Sequence, residues 1–162
     1  MEAIELTAAD AGATQALGAA VAGVLEPGDI VSLTGELGAG KTTFVQGAAQ
    51  ALGVTVPVVS PTFTLIREYP AAGGLTIYHV DVYRLERIQD VIDLGFEEMT
   101  DAGGMTFVEW GDAISALLSD DFLEIELRTT ETDERSVRMI GHGQTWIRRI
   151  DSLAAVSRSF AA

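Results

Sequence analysis

Gly35-Glu36-Leu37-Gly38-Ala39-Gly40-Lys41-Thr42 decides the reading of this chain. It satisfies G-x-x-x-x-G-K-[ST], a loop whose backbone N–H groups turn inward around phosphate oxygens. The glycines permit the tight turn. Lys41 can reach the β- and γ-phosphates as a point charge, and the Thr42 hydroxyl can ligate Mg²⁺. The flanks agree with the loop. Asp29 to Thr34 reads as a short buried strand leading in. Thr42 to Leu52 reads as a helix leading out, with a positive dipole end toward the phosphates. Glu36, Leu37, Gly38, Ala39, Gly40, Lys41, Thr42 and Thr43 are therefore the expected phosphate-binding residues. Lys41 is also the only lysine among 10 basic residues; all the others are arginine.

Composition narrows the class. A chain of 162 residues is expected to form one domain, residues 1–162, with a sizeable core. There is no cysteine, which excludes disulfides, a catalytic thiol and thiolate metal sites. The first basic residue is Lys41, and Ala11 to Leu25 is too short to span a bilayer. No signal peptide and no membrane span are expected, and the chain reads as cytoplasmic. Net charge is −14, with acid concentrated between Asp81 and Asp121 against Arg84 and Arg87 alone. Such a surface repels phosphate backbones, so unaided nucleic-acid binding is not expected.

Taken in order, Ala3 to Leu6 reads as a strand, and Thr7-Ala8-Ala9-Asp10 matches a capping box opening a helix. Leu17, Val21, Val24 and Leu25 recur at helical spacing with small residues between them. Phe63 to Tyr69 and Leu75 to Asp81 read as a hairpin across Pro70–Gly74. Leu85 to Met99 is helical in character, interrupted by Gly95. Met105 to Val108 is an apolar run ending at Glu109, and Ala113 to Leu118 reads as a short helix. Phe122 to Arg128 and Ser136 to Ile140 form a second hairpin, and Trp146 to Val156 a closing helix. The expected fold is α/β, a P-loop NTPase fold with a mostly parallel central sheet and added antiparallel strands.

A P-loop needs a further group to hold Mg²⁺ or orient water, usually an acid at the end of an apolar strand. Asp81 and Glu109 both qualify, since each ends a strand on the side where doubly wound folds bind ligands. His79 and His142 read as structural, although His79 shares a strand face with Asp81 and could support it. Trp110 reads as a core or interface aromatic. Ser60 and Thr62 flank Pro61 and read either as turn residues or as hydroxyls of a loop sensing the γ-phosphate.

Composition also excludes. Ras-like GTPases recognise guanine through Asn-Lys-x-Asp, and this chain has no asparagine. A kinase of anionic metabolites is the poorer fit, because only Arg67, Arg84 and Arg87 lie between Thr42 and Asp121. A nucleotide-binding regulator that never hydrolyses is the other alternative.

Further strings extend the pattern. Ser60-Pro61-Thr62-Phe63-Thr64-Leu65 is followed by Tyr78-His79-Val80-Asp81-Val82-Tyr83-Arg84-Leu85, then Asp93-Leu94-Gly95-Phe96-Glu97-Glu98 and Phe107-Val108-Glu109-Trp110. With the P-loop, this series closely resembles the TsaE (YjeE) family of bacterial tRNA threonylcarbamoyladenosine biosynthesis over about residues 14 to 112. The resemblance implies a weak ATPase using ATP and Mg²⁺, which binds the TsaD and TsaB proteins and touches tRNA only through them. Its cycle would reset that complex as it modifies the adenosine 3′ of the anticodon. By matching positions it implies phosphate and Mg²⁺ binding for Lys41 and Thr42, and the second Mg²⁺ contact for Glu109. It further implies a catalytic or water-orienting carboxylate at Asp81, switch residues at Ser60 and Thr62, and nucleotide contact by Arg135.

Overall fold

The computed structural model describes residues 3–36, 38–61, 66–82, 96–101, 103–110, 118 and 120–162. Seven strands form one sheet: β1 (Ala3–Ala8), β2 (Ile30–Thr34), β3 (Ile66–Pro70), β4 (Thr76–Asp81), β5 (Met105–Glu109), β6 (Phe122–Thr129) and β7 (Arg135–His142). The spatial order is β1-β7-β6-β2-β5-β4-β3. The four central strands β6, β2, β5 and β4 run parallel. β3 adds antiparallel at one end, and β7 and β1 add antiparallel at the other. The expected architecture holds, including both hairpins. The expected strand start at Phe63–Leu65 and the helical readings of Leu85–Gly95 and Ala113–Leu117 lie outside the described residues.

Burial differs between the innermost strands and those toward the β1 edge. Every residue of β2 and of β5 is buried, as strands covered on both faces must be. β6 instead alternates buried and half-buried positions, with Leu123, Ile125 and Leu127 inward. One face of the central sheet meets α1 (Ala11–Ala22) and α2 (Lys41–Ala51), through Leu17, Val21, Phe44, Val45 and Ala48. The other carries Ile30, Val80 and Val108 against Met99 of α3 (Phe96–Asp101) and Leu118.

The small residues of α1 and α2 have a specific job. A Cβ on Gly18 would sit 2.2 Å from the Phe44 carbonyl oxygen, and one on Gly47 would sit 1.9 Å from that of Gln15. Only glycine lets the two helix backbones approach this closely. The helix after the P-loop is thereby fixed in depth and angle against α1.

One expectation needs correction. The helix start is not the box headed by Thr7. Thr7 and Ala8 belong to β1, where they pair with Ser136 and Arg135 of β7, so the strand ladder claims their backbone. Asp10 is the N-cap instead, its carboxylate accepting from Ala13 N at 2.8 Å. At the other end of the chain, α4 (Gln144–Val156) is anchored by Arg149, which donates to Asp29 Oδ2 at 2.6 Å and also bonds Glu26. This ties α4 to the turn that leads into β2.

Candidate nucleotide site

The site grows from the junction of β2 and α2. Gly40, at φ 105°, occupies the left-handed region at the helix N-cap, where a side chain would be strained. Ala39 is buried, with its N–H donating to the Glu36 carbonyl at 3.1 Å, while Gly38 is exposed at the rim. Lys41 starts α2 and folds back over the loop. Its Nζ donates to the carbonyls of Gly35 at 2.7 Å and Glu36 at 2.9 Å, and the side chain is 5 % exposed. A cation so thoroughly desolvated is costly unless hydrogen-bonded. The loop carbonyls and the face of Trp110, with its centroid 3.9 Å from Nζ, offset that cost.

Parallel register brings the two candidate acids together. Asp81 and Glu109 are directly paired as the last residues of β4 and β5. Leu33 of β2 is the next residue in that row, so Glu109 stands beside the strand that feeds the P-loop and Asp81 one strand further out. Both are buried. Thr42 Oγ1, on the first turn of α2, donates to Glu109 Oε2 at 2.7 Å. A hydroxyl meeting a carboxylate is an all-oxygen donor set of the hard kind Mg²⁺ prefers, and a P-loop metal takes its remaining ligands from phosphate and water. Among the described residues no group of three or more His, Asp or Glu side chains could hold a metal unaided. The donor set therefore fits a Mg²⁺ that arrives with a triphosphate.

A second wall comes from the antiparallel flank. Asp10, Gly12 and Thr14 at the start of α1, Gly38 and Gly40 of the loop, Thr43 of α2, Asp133 of the β6–β7 turn and Arg135 at the start of β7 line a cavity of about 440 Å³. Arg135, expected only through the family resemblance, thus lies beside the loop and lines the same cavity as Thr43. The Arg135 guanidinium donates to the carbonyls of Thr132 at 3.3 Å and Glu134 at 3.1 Å, which shapes the turn. The side chain of Glu36 turns to this flank. Its carboxylate accepts from Thr129 N at 3.3 Å and from the Thr129 hydroxyl. Those bonds, with Arg135 and Lys41 nearby, hold its pKa below the ordinary 4.5.

Leu37 and Thr62 lie outside the described residues. Ser60 is exposed in the connection between α2 and β3. Two features escaped the sequence reading. Trp110 is not simply a core or interface aromatic: it stacks on the P-loop lysine. It is also the only non-glycine residue with positive φ, 65°, among the described residues, and its N–H donates to the Leu33 carbonyl at 2.8 Å. A bulky side chain in that region is strained, and such strain concentrates at functional sites. Its position directly after a strand-end acid was the available signal. The Glu36–Thr129 contact had no signal, since neither residue type is distinctive.

Fold and site together define a P-loop α/β protein with a loop lysine, a hydroxyl and paired strand-end acids. The particular family follows from comparison. Residues 8–137 match the family model described as "Threonylcarbamoyl adenosine biosynthesis protein TsaE". The chain is 41% identical over 133 residues to the tRNA threonylcarbamoyladenosine biosynthesis protein TsaE of Bacillus subtilis, covering 82% of each chain. The protein of the same name from Treponema pallidum is 41% identical over 74% of this chain and 87% of its own. The one from Streptomyces coelicolor is 37% identical over 80% and 91%. The crystal structure of Bacillus subtilis YdiB superposes with a TM-score of 0.81 at 33% identity, covering 95% of both chains. The chain belongs to the TsaE family.

Proposed function

We propose that this protein is a Mg²⁺-dependent ATPase that supports threonylcarbamoyl modification of the tRNA adenosine 3′ of the anticodon. The observation that carries the chemistry is the Thr42–Glu109 bond of 2.7 Å beside Asp81, at the mouth of the P-loop. The relatives' names carry the pathway.

In this reading the loop amides and Lys41 bind the β- and γ-phosphates, and Mg²⁺ supplies charge neutralisation between them. Thr42 and Glu109 hold the metal side. Asp81, one strand further out, orients the attacking water. Arg135 and the 440 Å³ cavity receive the nucleoside end. Ser60 and Thr62 follow the γ-phosphate as a switch. The TsaD and TsaB proteins are the partners, and tRNA is reached only through them, in keeping with a net charge of −14. Work in the cytoplasm fits this role; no described helix is long and apolar enough to cross a membrane.

The test is phosphate release from Mg-ATP by the purified protein, with and without TsaD–TsaB, alongside reconstituted tRNA modification. Slow hydrolysis that needs Lys41 and rises with the partners, together with multiple rather than single modification turnovers, is the expected result. ATP consumption only on addition of a metabolite, with a phosphorylated product, would make it a kinase. Binding without turnover, partners present, would make it a regulator.

A further inference from the structure

His79 sits inside β4 at 0 % exposure, in register between Arg67 of β3 and Phe107 of β5. An apolar side chain would fill that position at less cost, because a buried polar ring needs a hydrogen bond to offset its desolvation. Its one hydrogen bond among the described residues goes to the site. Nε2 meets Glu109 Oε2 at 2.5 Å, while Nδ1 is buried with no partner among the described residues. A carboxylate accepts and does not donate, so the proton in this bond is carried by Nε2. The same oxygen, Oε2, receives the Thr42 hydroxyl. Glu109 is thus held by two donors, one from the sheet and one from α2.

We infer that His79 is a positioning residue for Glu109. The glutamate side chain has three rotatable bonds, and fixing it ahead of ligand binding removes an entropy cost from the step in which Mg²⁺ and triphosphate arrive. His79 supplies that fixation through Nε2 and reaches neither nucleotide nor metal itself. The inference rests on Glu109 being the metal-handling acid and extends the site one residue deeper into the sheet.

The test is calorimetric titration of ATP into the full chain, in MgCl₂ and in EDTA, for wild type, His79→Asn, His79→Gln and Glu109→Gln. The readout is the gain in ATP affinity that magnesium confers. His79→Asn, too short to reach Glu109, is expected to lose about tenfold of that gain while its affinity in EDTA stays unchanged. His79→Gln, whose amide nitrogen can occupy the place of Nε2, should restore most of it. Should the Asn variant fail to fold, His79→Leu fills the same space without a donor and reads the same loss. In a Glu109→Gln background the His79 change should add nothing. A full wild-type magnesium gain in both the Asn and Leu variants, or a loss that adds in full to that of Glu109→Gln, overturns the inference. An unchanged magnesium gain in Glu109→Gln itself would instead overturn the reading of the acid on which the inference stands.

Discussion

The parallel centre and the antiparallel flank of this sheet are built by different rules and do different work. β2 and β5 are buried throughout, and at the C-terminal end of β5 the buried Glu109 pairs with the buried Asp81 of β4. β6, the strand at which the parallel centre meets the flank, and β7 alternate, and their polar faces carry exposed or half-exposed pairs such as Glu126–Arg128 and Glu5–Arg138 with β1. Such pairs contribute little. The centre therefore holds the two strand-end acids in a buried setting. The flank contributes only its turn, through Thr129, Asp133 and Arg135, as a wall beside the loop. A site divided in this way should respond to mutation very differently on its two sides.

The largest effect belongs to the support of the centre. Gly47→Ala ordinarily stabilises a helix by about 1 kcal/mol. Here the new Cβ would lie 1.9 Å from the Gln15 carbonyl oxygen, so the helices must part and the sign reverses. A loss of about 2–3 kcal/mol is expected, or roughly 5–10 °C in Tm. Ser136→Ala, on an exposed position of the flank, should stay within about 0.5 kcal/mol. Equal melting temperatures for the two variants would erase the proposed contrast.

Next comes the chemistry itself. Glu109→Gln keeps the side chain's size and removes its charge, and should lower Mg²⁺-dependent ATP turnover by about a hundredfold. Glu126→Gln, an acid of the flank, should leave turnover unchanged. Steady-state phosphate release for the two variants checks this. A comparable loss in both would mean that net charge, rather than the strand-end site, governs the reaction.

How much of this was legible beforehand depends on the range of the interaction. The P-loop, the strand before it and the helix after it are contiguous, so motif and periodicity expose them together. Asp81 and Glu109 were legible as strand ends, because an acid closing an apolar run is a local signal. That they are paired neighbours depends on strand order, which no local pattern states. The alanine- and glycine-rich α1 showed small residues but not their partner, since Gly18 and Gly47 matter only once the helices meet. Thr7 matched a cap because the local pattern could not weigh the pairing of β1 with β7. Trp110 was read as a core or interface aromatic because its contact with Lys41 crosses from the end of β5 to the start of α2.

A smaller effect should come from the flank's wall. Arg135→Gln leaves the loop and both acids in place and removes one cation from the cavity beside Gly38 and Thr43. Nucleotide affinity should fall by about three- to fivefold, with the magnesium gain unaltered, on the scale of a screened contact. Titration of ATP in EDTA and in MgCl₂ separates this from the loss in Glu109→Gln. A change in the magnesium gain would move Arg135 from wall to metal site.

The smallest effect tests the seam between the two regions. The ionised Glu36 carboxylate ties the P-loop to Thr129 of β6, and those hydrogen bonds, reinforced by Arg135 and Lys41, depress its pKa below 4.5. A group whose folded pKa is lowered stabilises the fold above its unfolded pKa and loses that contribution as pH falls through the folded value. The seam should therefore be closed at neutral pH and should loosen only below about pH 4.5. Melting temperatures of wild type and Glu36→Gln should differ modestly at about pH 6 and draw together as the pH falls below about 4.5 and the carboxylate takes up its proton. The residue is exposed, so added salt should narrow the gap at pH 6 insofar as it comes from Arg135 and Lys41 and leave the remainder due to Thr129. A gap that does not narrow at all as the pH falls would mean that shape rather than charge docks the loop on the flank. The two regions would then be joined by packing alone.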